Sequence, residues 1–473
     1  MMRVSLLSPL PLLALALAGC AVGPDYERPQ SAAAAAEWVE PASLEPVDLS
    51  WWDSFHDPLL SRLVTQAIAS APDVRVAQAR LEEARANRDA VRGGRLPSVN
   101  ATGAANENVL TKNGQFPIDN IPGFARDFSL FDLGFDASWE LDFWGRQQHR
   151  EQGAQARAAA AQEARRDVQI RLAAEVARAY ADLRTAQREV MLRREIASLL
   201  GDRAQLTDRL YLAGDVSRID AEAAMASAAN AERMVPEAQA RASAAAYRIA
   251  ALLGVPPEAI LPELEQAAPL PEPPVTIAAG IRADLLARRP DVRRAERELA
   301  AATADIGVAK ADLYPRFALL GSVGSQAVNA GDLPSRDSFR LSLGPSISWP
   351  IFNGGRVRAQ IRAADARADG ALAAWEGAVT GALADSESAL NRHRRSQLAL
   401  GQARRALASQ RIAHDLARQR FSVGEDSRMQ YLAAQAQLAE AELATLQAQA
   451  AELQAAIALY KSLGGGWQDD TGN

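Results

Sequence analysis

Cysteine is almost absent: Cys20 is the only one in 473 residues. With no second thiol, an internal disulfide framework and a multi-cysteine metal site are excluded. The four histidines, His56, His149, His393 and His414, lie far apart, and no phosphate-binding loop or metal-spaced cluster occurs. Neither catalytic nor metal-ligating residues are assigned, and no cofactor is expected. Each histidine is read as solvated or packed. The six methionines are dispersed, which gives no dedicated copper site. A basic stripe is missing too, because 52 lysines and arginines are scattered among 58 aspartates and glutamates for a net charge of −6. A nucleic-acid partner is therefore not expected. The longest apolar run, Leu10 to Gly19, is too short for a membrane-spanning helix.

Proline is missing from Gln147 to Leu212, and there the apolar residues Val168, Leu172, Val176, Ala179, Leu183, Ala186 and Val190 recur at spacings of three and four. Those 66 residues predict one helix of roughly 100 Å, longer than any compact core. Just before it, Phe131, Leu133, Phe135, Ala137, Trp139 and Leu141 alternate with Asp132, Gly134, Asp136, Ser138, Glu140 and Asp142. A period of two means a strand with one apolar and one acidic face, long enough to cross a bilayer obliquely. A membrane barrel on a helical stalk is the simplest object with both features. In it Asp132, Asp136 and Glu140 would wet the barrel lumen, with any cation preference a by-product.

The N-terminus reads as a signal peptide over residues 1–19, with Arg3, the apolar run and Leu17-Ala18-Gly19 before Cys20. This resembles a bacterial lipobox, so Cys20 is the expected acylated residue, held by more than one chain. Residues 20–52 are the anchor and tether. Ala21 follows Cys20 where an aspartate resembles an inner-membrane retention signal, which points to outer-membrane lipid. A first repeat is expected over 53–254, with strands near 97–108 and 129–142 and the long helix at 147–212. Pro236 falls inside the returning helix and predicts a kink near Val235. Seven prolines between Gly254 and Pro274 are too many for a regular element, so 255–281 is a linker. A second repeat spans 282–466, with strands near 315–326 and 338–351 and a long helix at 357–422. Residues 467–473 form a tail.

The repeat is visible residue by residue. Pro72-Asp73-Val74-Arg75 returns as Pro290-Asp291-Val292-Arg293, and Pro97 as Pro315, each 218 positions on. Beyond the strand loop the offset is 210: Trp139 matches Trp349, Gly145-Arg146 matches Gly355-Arg356, Gly214 matches Gly424, and Ser217-Arg218 matches Ser427-Arg428. Both halves therefore share one architecture: mainly α, as helix, strand, strand, long helix, helix, with a small β-barrel contribution. Glycines 214 and 424 can take the left-handed turn, and Ser217 and Ser427 can cap the returning helices; Ser427 with Gln430 has capping-box spacing. Four strands cannot close a membrane barrel, for which eight is about the lower limit, so the chain must oligomerise. Dimer, trimer and tetramer all satisfy that condition.

Cys20 with Gly23-Pro24-Asp25-Tyr26-Glu27-Arg28-Pro29, Trp51-Trp52 to Pro58, Glu140 to Arg146, Arg289-Pro290-Asp291-Val292, and Pro350-Ile351-Phe352-Asn353-Gly354-Gly355-Arg356 resemble the outer-membrane factor family. These are the TolC-like channel-tunnels of tripartite efflux pumps, and the resemblance is to the lipoprotein branch called NodT. It implies a homotrimer, with a trimeric β-barrel in the outer membrane above an α-helical periplasmic tunnel. It implies a passive exit duct for small molecules such as drugs or toxic solutes. The tips, Gly214, Ser217, Arg218, Gly424, Ser427 and Arg428, would then contact a periplasmic adaptor protein, itself docked on an inner-membrane transporter of the RND type. Similar proteins often carry an aspartate early in the final helix, where this sequence has Ala433. Asp220 and Glu222, with Glu425 and Asp426, are the alternative acidic entrance gate, and the narrowest ring is left unassigned. Two other functions stay open on the sequence: the exit duct of a type I protein secretion system, and a non-porous structural coiled-coil lipoprotein.

Overall fold

A computed structural model describes residues 21–111 and 125–467; Cys20 and part of the first strand loop lie outside them. The chain is mainly helical with one antiparallel sheet, and it packs as two compact units. The first combines the N-terminal stretch to Pro29 with Leu81–Ala160 and Ala295–Trp375; the second combines Gln30–Arg80, Ala161–Arg294 and the chain from Glu376 on.

In chain order the helices are α1 (Pro58–Ser70), α2 (Pro72–Gly93), α3 (Arg146–Ala213), α4 (Arg218–Leu253), α5 (Leu261–Leu264), α6 (Arg282–Arg288), α7 (Pro290–Ala311), α8 (Arg356–Ser422) and α9 (Arg428–Ser462). Prolines open α1, α2 and α7, where the fixed φ suits a helix and the missing N–H costs nothing. The long helices α3 and α8 have 68 and 67 residues, or about 100 Å each. Helix α4 passes through Pro236 as one element. The proline-rich linker is not wholly irregular: Pro257–Ala259 forms a 3₁₀ turn and Leu261–Leu264 a short helix, each with proline in its first turn. Counting prolines missed this because a first-turn proline forfeits no hydrogen bond.

The sheet belongs to the first unit. Strands β1 (Ser98–Val109), β2 (Asp127–Leu141), β3 (Arg316–Ala327) and β4 (Phe339–Ser348) pair antiparallel in that order. Strands β1 and β3 start immediately after Pro97 and Pro315. Strand β4 stops three residues short of the expected 351, because Pro350 offers no N–H to a ladder and Ile351 turns back to the Trp349 carbonyl at 3.0 Å. The register sets Phe135 opposite Ala101 and Val323, and Val323 opposite Leu341. One face is thus apolar across all four strands. The two repeats end their strand pairs alike: Trp139 Nε1 donates to the Arg95 carbonyl at 2.9 Å and Trp349 Nε1 to the Leu313 carbonyl at 3.0 Å.

The second unit holds the main core. Trp51 is fully buried, stacked on Tyr460 of α9 at 5.2 Å, amid Leu63, Val176, Tyr180, Ile249, Leu285 and Ile457. Asp57 Oδ1 caps α1 by accepting from the Leu59 and Leu60 amides at 3.0 and 3.1 Å, while its Oδ2 accepts from the Tyr180 hydroxyl at 2.7 Å. The segment read as a tether is held here too, by Trp38 Nε1 on the Gly280 carbonyl at 2.7 Å and the Val39 amide on Glu387 at 2.8 Å.

Candidate functional site: the helical tips and the polar face of the sheet

At the tips, in the second unit, Gly214 has φ +84° and Gly424 has φ +79°, a region that side chains rarely adopt. Each glycine closes the same reverse turn. Gly214 N–H donates to Tyr211 O at 3.0 Å and Asp215 N–H to Leu210 O at 2.9 Å; Gly424 N–H donates to Phe421 O at 3.1 Å and Glu425 N–H to Arg420 O at 2.9 Å. This pattern satisfies the last carbonyls of a helix. No atom lies within 4 Å of where a Cβ would stand, so glycine is demanded by conformation and not by packing.

Ser217 and Ser427 then cap α4 and α9, their hydroxyls accepting from the amides of Asp220 and Gln430 at 3.2 and 3.3 Å. Both caps are reciprocal boxes. Gln430 Oε1 accepts from Ser427 N and Oγ at 2.7 and 2.9 Å, and Asp220 Oδ2 from Ser217 N and Oγ at 3.1 and 2.7 Å. The hydroxyl bond above all, then the amide bond, holds the Asp220 carboxyl below its usual range. Asp220, expected in an acidic entrance ring, therefore commits its carboxylate to its own helix.

Six other tip charges are paired as well. Arg218 Nε lies 3.4 Å from Glu222, one turn along α4. Arg420 Nη2 lies 2.9 Å from Asp426, and its Nε 3.8 Å from Glu425. Arg428 reaches a different helix, with Asp202 of α3 at 3.9 Å. Leu212, Ile219 and Val423 are left exposed around the turns.

On the sheet, in the first unit, Asp132, Asp136 and Glu140 share the polar face, but it is less acidic than its sequence. Arg340 of β4 donates to Asp132 twice, Nη2 at 2.6 Å and Nε at 3.0 Å, and Gln326 Nε2 donates to the same carboxylate at 2.9 Å. Thr102 donates to Asp136 at 2.9 Å. Arg146 Nη1 lies 3.5 Å from Glu140. The opposite face exposes Leu133, Phe135, Phe339, Leu341, Leu343 and Ile347. No helix among the described residues is long and apolar enough to cross a membrane. Cys20 lies outside the described residues; two residues on, the Val22 amide donates to the Trp144 carbonyl at 3.0 Å.

The model of the family described as outer membrane efflux protein matches residues 63–255 and 281–465, leaving out only the ends and the proline-rich linker. The chain belongs to the outer membrane efflux protein family. It is 32% identical over 427 residues to the pyoverdine export outer membrane protein OpmQ of Pseudomonas aeruginosa, covering 89% of this chain and 88% of that one. It is 30% identical over 481 residues to the toluene efflux pump outer membrane protein TtgC of Pseudomonas putida, covering 100% and 97%. Among solved structures, the outer-membrane channel OprN superposes with a TM-score of 0.83 at 37% identity, covering 95% of this chain and 100% of that one.

In this outer membrane efflux protein two side-chain pairings, Arg340 with Asp132 and His393 with Glu452, were not read from the sequence. Arg340 stands at a polar position of its strand, and that alternation was its available signal. His393 of α8 and Glu452 of α9 are each 6% exposed, with Nδ1 and Oε1 3.9 Å apart. Neither ring nitrogen has a hydrogen-bond partner. Beside Glu452 is a cavity of about 360 Å³ lined by Pro271, Glu272, Pro273, Leu400 and Arg404 among others. Burial, reinforced by Glu272 and opposed by Arg404, pushes the Glu452 carboxyl up to about 7, and burial lowers His393. Their signal was the repeat offset, which sets them against Leu183 and Ala242.

Proposed function

We propose that three copies of this outer-membrane efflux protein close their sheets into one barrel and set their helices side by side, forming a passive exit duct. The observation that carries the reading is the open sheet: four strands, with β1 and β4 at unpartnered edges and an exposed apolar face. Unpaired strand edges are not tolerated in lipid, and four strands are too few to close, whereas three copies supply twelve. Helix α8 supports the same association. Its Leu398, Ile412 and Leu416 are exposed, and glycines 370, 377, 381 and 401 have open space beside them, which permits close packing by a neighbouring helix.

In this duct the polar face lines the lumen, and Cys20 carries acyl chains that add an anchor in the outer membrane. The tips meet a periplasmic adaptor, which couples the duct to an inner-membrane transporter of the RND type. Splaying of the tips opens the entrance, where Arg420 with Glu425 and Asp426 and Arg428 with Asp202 hold the resting arrangement. The adaptor favours the open state by binding it preferentially. Relatives of similar identity are named for cargoes as unlike as pyoverdine and toluene, so cargo choice is assigned to the transporter and not to the duct. The full chain should migrate as a heat-modifiable trimer and carry single-channel current in a planar bilayer; a monomer without current sinks the reading. Mass spectrometry of the mature N-terminus tests Cys20, and an unmodified N-terminus elsewhere removes the lipid anchor. Bulky replacements at Gly214 or Gly424 should abolish cross-linking to the adaptor while leaving the trimer intact.

A further inference from the structure

Arg340 reaches Asp132 by crossing an intervening strand, and the sequence had to clear a path for it. In the register Arg340 of β4 faces Gly324 of β3, which faces Gly134 of β2. A Cβ on Gly324 would stand 2.4 Å from the Leu133 carbonyl oxygen, and one on Gly134 would stand 2.6 Å from the Val323 carbonyl oxygen. A side chain at either of these two glycine positions would collide with the neighbouring backbone. The guanidinium lies along the bare backbone strip, gripping both Asp132 oxygens and donating from Nη1 to Ser322 Oγ at 3.0 Å. The other described strand arginine on this face is Arg316, at the very start of β3, and it pairs with Asp312 at 2.7 Å.

We propose that Arg340 determines the charge selectivity of the membrane part of the duct. It cancels Asp132 within each copy, and Arg146 stands beside Glu140. Asp136 accepts from Thr102 and feels Arg340 only at longer range, so it is the acid of the three with no ion pair of its own among the described residues. Symmetry repeats the Arg340–Asp132 pair at one height in every copy, so that level of the wall is a ring of neutralised charge where the sequence alone suggests carboxylates, and Asp136 is the carboxylate ring that remains. Rings of charged side chains are what set ion preference in a pore. The duct accordingly keeps a cation preference, set by Asp136, that is weaker than three unpaired carboxylates per copy would give. This inference rests on the proposal that the polar face lines the lumen.

The test is the reversal potential of the full-length protein in a planar bilayer under a potassium chloride gradient. Arg340→Gln should raise the cation-to-anion permeability ratio by about twofold or more. Asp132→Asn should move it toward anions, Arg340→Lys should keep the parent value, and the Arg340→Gln, Asp132→Asn double variant should return near the parent. If Arg340→Gln conducts with an unchanged reversal potential, the assignment of Arg340 is overturned while the duct stands. If the parent itself carries no current, the duct reading falls and this inference with it. Should Arg340→Gln fail to form the heat-modifiable oligomer, Asp132→Asn decides: an unshifted potential there overturns the proposal equally.

Discussion

At Leu183 the first repeat buries an alkyl side chain in the main core, against which the half-buried Ala242 also packs; 210 positions on, the second repeat buries His393 beside Glu452. The strand pairs differ in the same manner. The first carries Asp132, Asp136 and Glu140, and the second answers with Arg340. At the tips the first repeat closes its capping box with Asp220 and the second with Gln430, leaving Glu425 and Asp426 to pair with Arg420. The repeats hold backbone in common: the left-handed glycine, the serine cap and the tryptophan that ends each strand pair. Backbone devices are fixed by conformation and survive duplication unchanged. Charge depends on neighbours, and each repeat has different ones.

The largest expected effect probes the shared strand faces. Leu133→Arg and Leu343→Arg put a cation on the apolar face at equivalent places, at roughly 2–4 kcal/mol near the bilayer midplane. Both should abolish the heat-modifiable oligomer, whereas Asp136→Arg on the other face should leave it. Loss in all three, or survival of one leucine variant, breaks the equivalence of the strands.

Next is the buried pair. Folded Glu452 keeps its proton to about 7, while the unfolded residue releases it near 4.5. Its contribution is complete below about 4.5 and is lost as pH rises through about 7. His393 has the opposite sign, since its lowered value destabilises the fold as pH falls below 6.5. The parent should therefore lose on the order of 1 kcal/mol between about pH 6 and pH 8. The His393→Leu, Glu452→Ala double variant, which copies the first repeat, should flatten that slope in thermal unfolding and cost little, because an apolar pair needs no desolvation. An unchanged slope assigns the pH dependence to other groups.

Smaller still, Ser217→Ala and Ser427→Ala each remove one cap, worth about 1 kcal/mol. Hydrogen exchange should quicken equally in the first turns of α4 and α9. A one-sided response would show that the two boxes are not equivalent.

The smallest effect separates the tips. Arg420→Ala removes a cation that holds two carboxylates, and Arg218→Ala breaks one exposed pair within a helix; such pairs are worth about 0.2–1 kcal/mol. Resting conductance should rise in the first variant and stay at the parent level in the second. Equal rises would show that the entrance does not depend on the Arg420 contacts.

The chain by itself determined whatever depends on order and period. Alternation set the strand faces, spacings of three and four with no proline set the long helices, and the 218 and 210 offsets set the duplication. Glycine followed by a serine cap marked the tips, because these are short-range requirements of the backbone. The tertiary structure decided who faces whom. Asp220 turned inward to its own serine, since an aspartate at the third helical position reaches the cap as a glutamate or glutamine does. Arg340 found Asp132 two strands away only because β3 lies between β2 and β4 and presents a glycine there. His393 and Glu452 met because α8 and α9 run past one another, a pairing no period encodes. Charge balance at a site is a sum over neighbours, and neighbours exist only after the chain has folded.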